Sequence, residues 1–439
     1  MVIPGNIYAF LQRMEAAGYE AYLVGGCVRD MLMGKMPHDW DITTSARPEQ
    51  VLRLFDGYAV PTGLQHGTVT VLWQDFSLEV TTFRTETTYQ DHRHPDAVAF
   101  ADTLEEDLSR RDFTVNAMAM DCCGHLIDLY GGQSDLCAGL LRCVGDPDKR
   151  FSEDALRIMR CLRFAATLGF SVAPATESAM HTRKEDLSFV SAERLRDELC
   201  KLICGKHVGR ILLDNWDILG VMIPEILPCV GFDQQNHHHI YDVWEHIARS
   251  VDAVPPTPVL RFCMLFHDIG KPACFTADEQ GVGHFYGHAA KSAEMAENIC
   301  RRLCFDNETA HKIVTLVRWH DREVLCTPSA VKRALNRLGA ENFRNLAEIK
   351  RSDNLAQNPA YRGRLQEIDA VMALTEQILS ERACFSLKQL AVNGNDLMAL
   401  GLQGRDVGKM LNALLEKVMD GELPNEEKAL LHWVQTQNG

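Results

Sequence analysis

Residues Gly67 to Trp73 alternate, with Val69, Val71 and Trp73 on one side and Thr68, Thr70 and Leu72 on the other. That period of two predicts a half-buried strand. Ser77 to Phe83 predicts a second strand, and Gln74-Asp75 between them a tight hairpin. The opening stretch, MVIPGNIYAFLQRMEAAG, has helical spacing instead. It lacks a basic segment followed by an apolar run, so it reads as an amphipathic helix, not a signal peptide. From about residue 141 the helical period dominates. Glu153 to Leu168 predicts a helix with Ser152 as N-cap and acids in its first turn, and Ala192 to Cys204 predicts another. The turn-rich PCVGFDQQN closes this region. Helical patterns resume near His237, and 361–439 is helical and amphipathic with breaks at Asn393-Gly394 and Gly421. The predicted class is α+β. A mixed head spans 1–140, a helical neck 141–236, a third domain 237–360 and a helical tail 361–439.

The 439 residues suffice for two to four domains with their own cores. No apolar run approaches the ~20 residues of a membrane span, so no membrane partner is expected. The 15 cysteines include no CxxC pair. Cys200/Cys204 and Cys300/Cys304 are spaced as one buried helix face, and reduced thiols in the cytoplasm are the expectation. A net charge of −15 means that any phosphate-rich partner must meet a local basic patch. Lys206, Arg210, Arg301, Arg302, Lys332 and Arg333 offer such contacts, although each taken singly reads as a solvated surface charge. The C-terminal DGELPNEEKALLHWVQTQNG is not a basic tail.

Chemistry concentrates in a few short stretches. Asp39 and Asp41 are two apart, so on a strand both carboxylates aim at one spot. Hard divalent cations such as Mg²⁺ favour that oxygen cluster, completed by substrate phosphates. The upstream Gly25-Gly26 lets backbone N–H groups approach a phosphate closely. Glu79, on the second strand of the hairpin, is either a third carboxylate beside this pair or an exposed strand residue. Arg110 and Arg111 suit a triphosphate, because each guanidinium forks two oxygens. Asp112 and Asn116, four apart on an expected helix, face a ribose or a phosphate. Asp154 and Arg157 share a helix face, where two acceptors and a donor fork pair with the edge of a base. Arg160 and Arg163 continue that face toward a triphosphate or primer phosphate, or are solvated helix arginines. Glu193 and Arg196 are expected to brace that helix.

Leu23-Val24-Gly25-Gly26-Cys27-Val28-Arg29-Asp30, followed by Asp39-Trp40-Asp41-Ile42, resembles the signature of class II tRNA nucleotidyltransferases and bacterial poly(A) polymerases, within the polymerase-beta superfamily. Arg110 to Ala119 resembles the second motif of that family, Glu153-Asp154-Ala155-Leu156-Arg157 its EDxxR element and Ala192 to Leu199 its last element. The resemblance implies a polymerase-beta-like nucleotidyltransferase α/β head, followed by mostly α-helical domains. Asp39 and Asp41 would hold Mg²⁺ and act with Glu79. Gly25, Gly26, Arg29, Arg111, Asp112, Asn116, Asp154, Arg157, Arg160 and Arg163 would form the nucleotide site. Asp154 and Arg157 would select CTP and ATP over GTP and UTP. The stretch Arg84 to Phe100, with Arg84, Glu86, Asp91 and Arg93, resembles the flexible loop of enzymes that add the terminal A, with His92 where glycine is expected. The implied reaction is CCA addition. A tRNA 3′-hydroxyl attacks the α-phosphorus of CTP twice and then of ATP, releasing pyrophosphate.

His267-Asp268, in Leu260 to Pro272, resembles the central dipeptide of the HD phosphohydrolase superfamily. The resemblance implies His246 upstream, Asp353 downstream, and His288 with His320-Asp321 completing a two-metal set. Mixed imidazole and carboxylate ligands suit Mn²⁺, Fe, Ni²⁺, Co²⁺ or Zn²⁺ better than Mg²⁺. A retained scaffold that helps hold tRNA is the other reading. His237-His238-His239 reads as polar residues of a first helical turn, and His284 has no assigned role. Two alternatives remain beside CCA addition. A poly(A) polymerase is disfavoured by the acidic balance and the missing basic tail. A phosphohydrolase or phosphodiesterase with an inactive nucleotidyltransferase half is disfavoured by the intact Asp39, Asp41, Arg111 and Arg157. On the CCA-adding reading the chain is expected to act as a monomer or homodimer on tRNA, ATP and CTP.

Overall fold

The computed structural model describes residues 3–86, 98–237 and 240–438. The chain divides into two compact units, Met1–Pro224 and Glu225–Gly439. The expected head, 1–140, lies within the first unit, whereas the expected neck, 141–236, crosses the division, with 225–236 in the second unit ahead of His237.

The first unit opens with α1 (Gly5–Ala16), which buries Ile7, Phe10, Leu11 and Met14, a 3.6-period stripe. Phe10 stacks on Phe55 with ring centroids 4.4 Å apart and meets Trp73 edge-on at 5.7 Å. Then follow β1 (Ala21–Val24), α2 (Gly26–Leu32), β2 (Trp40–Thr44), α3 (Pro48–Leu54), β3 (Ala59–Gly63), β4 (Thr68–Trp73) and β5 (Phe76–Thr82). Two short strands, β6 (Arg84–Glu86) and β7 (Val98–Phe100), pair apart from the main sheet and bracket 87–97. After α4 (Leu104–Ser109), β8 (Met118–Met120) and β9 (Leu126–Asp128) complete seven strands in the order β3-β4-β5-β2-β1-β8-β9. Only β2 and β5 pair in parallel among them. The hairpin of β4 and β5 is the predicted one: Val69 and Val71 are buried, and Gln74 takes the positive φ of 53° that a two-residue turn requires.

Helices fill the rest of this unit: α5 (Gly132–Ala138), α6 (Pro147–Glu153), α7 (Leu156–Leu168), α8 (Pro174–Arg183), α9 (Ala192–Ile203), α10 (Val208–Asp214) and α11 (Trp216–Met222). The single helix expected over Glu153–Leu168 is in fact two. Asp154 is extended (φ −146°, ψ 104°), and its Oδ1 accepts from the Leu156 amide at 3.0 Å. That local side-chain bond competes with the helix and starts α7 afresh. Ser152 therefore caps nothing; it lies inside α6 and donates to the Lys149 carbonyl at 2.8 Å. Asp112 to Asn116 is likewise not α-helical, since only Thr114–Asn116 forms a 3₁₀ turn.

The second unit is built from α12 (Val243–Ala253), α13 (Pro258–Phe266), α14 (His288–Arg302), α15 (Asn307–Trp319), α16 (Pro328–Leu355) and α17 (Arg364–Ser380). Its last helices are α18 (Gly394–Ala399), α19 (Arg405–Met419) and α20 (Glu427–Asn438). Asn393 caps α18 through a reciprocal bond with Asp396, and Gly421 at φ 76° follows the end of α19, as the breaks predicted. Asp242 caps α12, so His237 precedes the helix instead of opening it, its ring 5.7 Å from Tyr361. His238 and His239 lie outside the described residues. Cys304 also departs from expectation: α14 ends at Arg302, and Cys304 is exposed at φ 55° while Cys300 is buried. No helix of the described residues is long and apolar enough to cross a membrane.

Candidate active site

The strand order brings three carboxylates together. Asp39 sits in the bend before β2 and Asp41 within it. Glu79 of β5 is the register partner of Asp41 across the parallel pair. Burial raises the Asp41 pKa, the charges of Glu79 and Asp39 raise it further, and Arg111 and Arg160 act against them. An all-oxygen donor set under mutual repulsion fits a hard divalent cation. Gly25, which joins β1 to α2, lies at φ 72°, ψ −130°. A Cβ there would sit 3.1 Å from Arg111 Nη1 and 3.7 Å from Asp41 Oδ2. Glycine thus separates the cation from the carboxylate by backbone alone. Gly25→Ala is expected to cost about 1–3 kcal/mol, the penalty for a side chain in this glycine-only region. A fall in melting temperature together with weaker CTP binding checks it.

Behind this floor runs a string of polar contacts. Arg29 Nη1 donates to Asn116 Oδ1 at 2.7 Å, Asn116 Nδ2 to Asp112 Oδ1 at 3.2 Å, and Arg160 Nε to Asp112 Oδ2 at 2.8 Å. Arg29 also bonds Asp30 and lies 5.2 Å over the Phe164 ring. These four predicted nucleotide residues therefore hold one another. Burial alone would raise the Asp112 pKa, but the Arg160 charge and bond, with Asn116, bring it down to about 2. A depressed acid stabilises the fold above its unfolded pKa. Asp112→Asn should then cost on the order of 2 kcal/mol at pH 7. The difference should vanish as pH falls from the ordinary Asp value of about 3.9 through the folded one. Urea melts of both proteins at pH 7, pH 3 and pH 2 measure it.

Asp107 was not singled out in the sequence, yet it organises the arginines. Fully buried on α4, it accepts from Arg110 Nη2 at 2.8 Å, Arg111 Nη2 at 3.1 Å and Thr43 Oγ1 at 3.2 Å. It also receives the Arg84 amide at 3.4 Å, where the resembling loop begins. Arg84 Nη1 donates to the His66 carbonyl at 2.6 Å. Glu86 lies on β6, while Asp91 and Arg93 are outside the described residues.

The expected base-reading pair does not share a helix face. Asp154, in the break, binds Arg194 Nη2 through Oδ2 at 2.7 Å. Arg157, on α7, donates to Glu153 Oε2 at 2.7 Å and to the carbonyls of Arg150 and Arg110, each at 3.0 Å. Arg163 Nε meets Glu198 Oε2 at 2.6 Å. The brace between α7 and α9 includes Arg194 and Glu198, which sequence reasoning passed over; Arg196 bonds its neighbour Asp197. The i,i+4 spacing of Arg194 and Glu198 was the available signal.

The second unit gathers a different set. His246 on α12, His267 just past α13, His288 at the start of α14 and His320 just past α15 each turn Nδ1 to a backbone carbonyl. The partners are Ala356 (3.3 Å), Met264 (2.6 Å), Phe285 (2.8 Å) and Val317 (2.6 Å). A carbonyl only accepts, so each Nδ1 carries a proton and each Nε2 is turned into the cluster. The Nε2 atoms of His246 and His267 are 3.2 Å apart, as are those of His288 and His320. Asp268 stands between the pairs. Its Oδ2 is 3.3 and 3.2 Å from the first two and its Oδ1 3.3 and 3.6 Å from the others. Asp353 Oδ1 is 3.0 Å from His246 Nε2. Lone pairs facing each other at that distance repel unless a proton or metal cation lies among them. Mixed imidazole and carboxylate donors fit a borderline transition metal. Asp321 is exposed and lines the neighbouring cavity.

Comparison with known proteins bears on both units. The family described as "Poly A polymerase head domain" matches residues 21–142, "Probable RNA and SrmB- binding site of polymerase A" matches 169–229, and "tRNA nucleotidyltransferase domain 2 putative" matches 275–434. The CCA-adding enzyme of Lactiplantibacillus plantarum is 35% identical over 431 residues, 97% of this chain and 94% of that protein. The chain belongs to the CCA-adding enzymes. That of Lactobacillus helveticus is 53% identical over 197 residues, 45% of this chain and 49% of that protein, so the match spans about half the length of this relative. Among solved structures, the Bacillus stearothermophilus CCA-adding enzyme in complex with CTP superposes with a TM-score of 0.75. It is 30% identical, and the match covers 100% of this chain and 98% of that one. Asp39, Asp41, Glu79 and Arg111 all fall within the head match. His246, His267 and Asp268 precede the match that holds His288, His320 and Asp353.

Proposed function

We propose that the first unit adds C, C and A in turn to the tRNA 3′ end from CTP and ATP. The observation that carries this reading is the Asp41–Glu79 register beside Gly25, with Arg111 on the far side of the glycine. The backbone N–H of Gly26, with Arg111, receives the triphosphate at the open turn of Gly25, whose own N–H donates to the Met118 carbonyl at 3.4 Å. Asp107 holds Arg110 and Arg111 ready, so little side-chain entropy is lost when the nucleotide arrives. Mg²⁺ held by Asp39 and Asp41, with Glu79 beside them, would activate the 3′-hydroxyl and stabilise the leaving oxygens. Base selection by Asp154 and Arg157 exchanges their present partners, Arg194 and Glu153, for the base edge. A tRNA partner and cysteines without a CxxC pair support a cytoplasmic enzyme that acts as a monomer or homodimer.

The test is incubation with tRNA ending at the discriminator base and each labelled NTP. Ordered addition that stops after three residues is expected. A long A tail on unrelated RNA would make the enzyme a poly(A) polymerase instead.

The converging Nε2 atoms favour a second activity, a metal-dependent phosphohydrolase centre in the other unit. Mn²⁺, Fe, Ni²⁺, Co²⁺ or Zn²⁺ would be held by His246, His267, Asp268, His288, His320 and Asp353. His267→Ala with Asp268→Ala should spare CCA addition and abolish metal-dependent phosphate release from p-nitrophenyl phosphate. Unchanged phosphate release would remove the assignment.

A further inference from the structure

The loop that joins β8 to β9 gathers metal-ligating side chains that nucleotide transfer does not use. Met120 and Leu126 are the last register pair of the two strands, and Asp121-Cys122-Cys123-Gly124-His125 lies between them. The Asp121 amide donates to the His125 carbonyl at 3.2 Å, and the Gly124 amide to the Asp121 carbonyl at 3.1 Å. Gly124 supplies the positive φ of 81° that turns the chain. Backbone bonds thus hold Asp121 and His125 opposite each other, with Cys123 at the tip.

The side chains converge as well. One donor atom each from Asp121, Cys123 and His125 lies within 4.8 Å of the others. Tetrahedral Zn²⁺, with bonds of about 2.0–2.3 Å, sets its ligands roughly 3.3–3.8 Å apart. Closing the difference takes a small side-chain rotation, and Cys123 and His125 are exposed, with room to make it. Asp121 is already oriented. Its Oδ1 accepts from the His125 amide at 2.8 Å, and its Oδ2 lies 2.9 Å from His125 Nδ1. Cys122 turns elsewhere, its thiol donating to Glu15 Oε2 of α1 at 3.2 Å. Glu15, Glu20 and Asp121 all place negative charge near Tyr22, a field that attracts a cation.

We propose that Asp121, Cys123 and His125 bind Zn²⁺, with water in the fourth position. Thiolate and imidazole donors select such a borderline ion over Mg²⁺. On binding, the cation replaces the proton between Asp121 and His125, whose ring then carries its proton on Nε2, and the Cys123 thiol proton passes to solvent. The need for a clamp is local. β9 is an edge strand that pairs through three residues, and the loop is its only covalent link to β8. Gly25 bonds the Met118 carbonyl at the opposite end of β8, so the ion stands apart from the nucleotide site. The inference does not depend on the histidine cluster of the second unit.

Titration of the reduced full chain with Co²⁺, read by thiolate-to-cobalt charge-transfer absorption, tests it. The second-unit cluster consists of histidines and aspartates and is silent in that band. Wild type should show the band, and Zn²⁺ should bleach it, because thiolate sites favour Zn²⁺. Cys123→Ser should abolish it. Asp121→Asn and His125→Ala should each weaken Co²⁺ binding at least about tenfold, the cost of losing even a partner behind a ligand. Cys304→Ser, at another exposed thiol, should leave the band unchanged. Melting temperatures of the variants in EDTA should match wild type, so that a lost band is not a lost fold. A band that survives Cys123→Ser, or that Zn²⁺ fails to bleach, overturns the inference. So does a band that needs Cys123 but is indifferent to Asp121→Asn and His125→Ala, since that is binding to a thiol alone. Absence of the band in wild type overturns it outright.

Discussion

Replacing Asp39 and Asp41 together with alanine should reduce nucleotide incorporation into tRNA by at least about 10³-fold, the upper range for loss of one preorganised electrostatic group. The fold should survive. Asp39 is exposed, and Asp41 is held in an ionised cluster that its neighbours Glu79 and Asp39 make unfavourable. Removing like charges from a partly buried strand relieves repulsion, so the melting temperature at pH 7 should hold or rise. A stabilised, inactive protein is the signature of a site built for a ligand it must wait for. Gel assays with labelled CTP and ATP read the activity, and calorimetry reads the melting. Incorporation that survives the double substitution would sink the metal assignment. A collapse of the fold would instead make Asp41 a structural residue.

What the sequence made legible follows from the range of each interaction. The strands Thr68–Trp73 and Phe76–Thr82 announce themselves through a period of two, because one face of each is buried. The role of Glu79 stayed open there, since alternation does not tell which strands are neighbours. The parallel register pairs it with Asp41, and its side chain is exposed on the strand. The break at Asp154 was hidden because Glu-Asp-Ala-Leu is compatible with a helix, and a single carboxylate-to-amide bond decides otherwise. The four histidines are spread over 75 positions, from His246 to His320, and only a family resemblance linked them. Their Nδ1 partners show a local rule in retrospect. For His267, His288 and His320 the carbonyl belongs to the residue three before, a contact set by a turn of chain rather than by the core. Among Glu105, Glu106 and Asp107, nothing in composition marked the last as the buried one. The spacing to Arg110 and Arg111, i+3 and i+4, was the signal available.

That residue gives the largest expected effect on stability. Asp107 is wholly buried and faces two guanidiniums whose side chains are only 14% and 18% exposed. Burial raises its pKa, but Arg111 and Arg110 more than offset this and hold it below the ordinary carboxylate range. Asp107→Ala removes the buried acceptor that both cations and Thr43 of β2 share. Breaking one side of a buried ion pair in this way costs about 3–5 kcal/mol. Asp107→Asn keeps an oxygen for one arginine and should cost less. The same substitution frees Arg111 from its place across Gly25 from Asp41, so CTP binding should weaken even in molecules that stay folded. Because the depressed acid stabilises only above its unfolded pKa, the gap between wild type and variant should close as pH falls through the folded value. Urea denaturation across pH 7 to pH 3, paired with CTP titration, separates the two effects. An Asp107→Ala protein within about 1 kcal/mol of wild type, the worth of an exposed pair, would show that the arginines hold their positions without it.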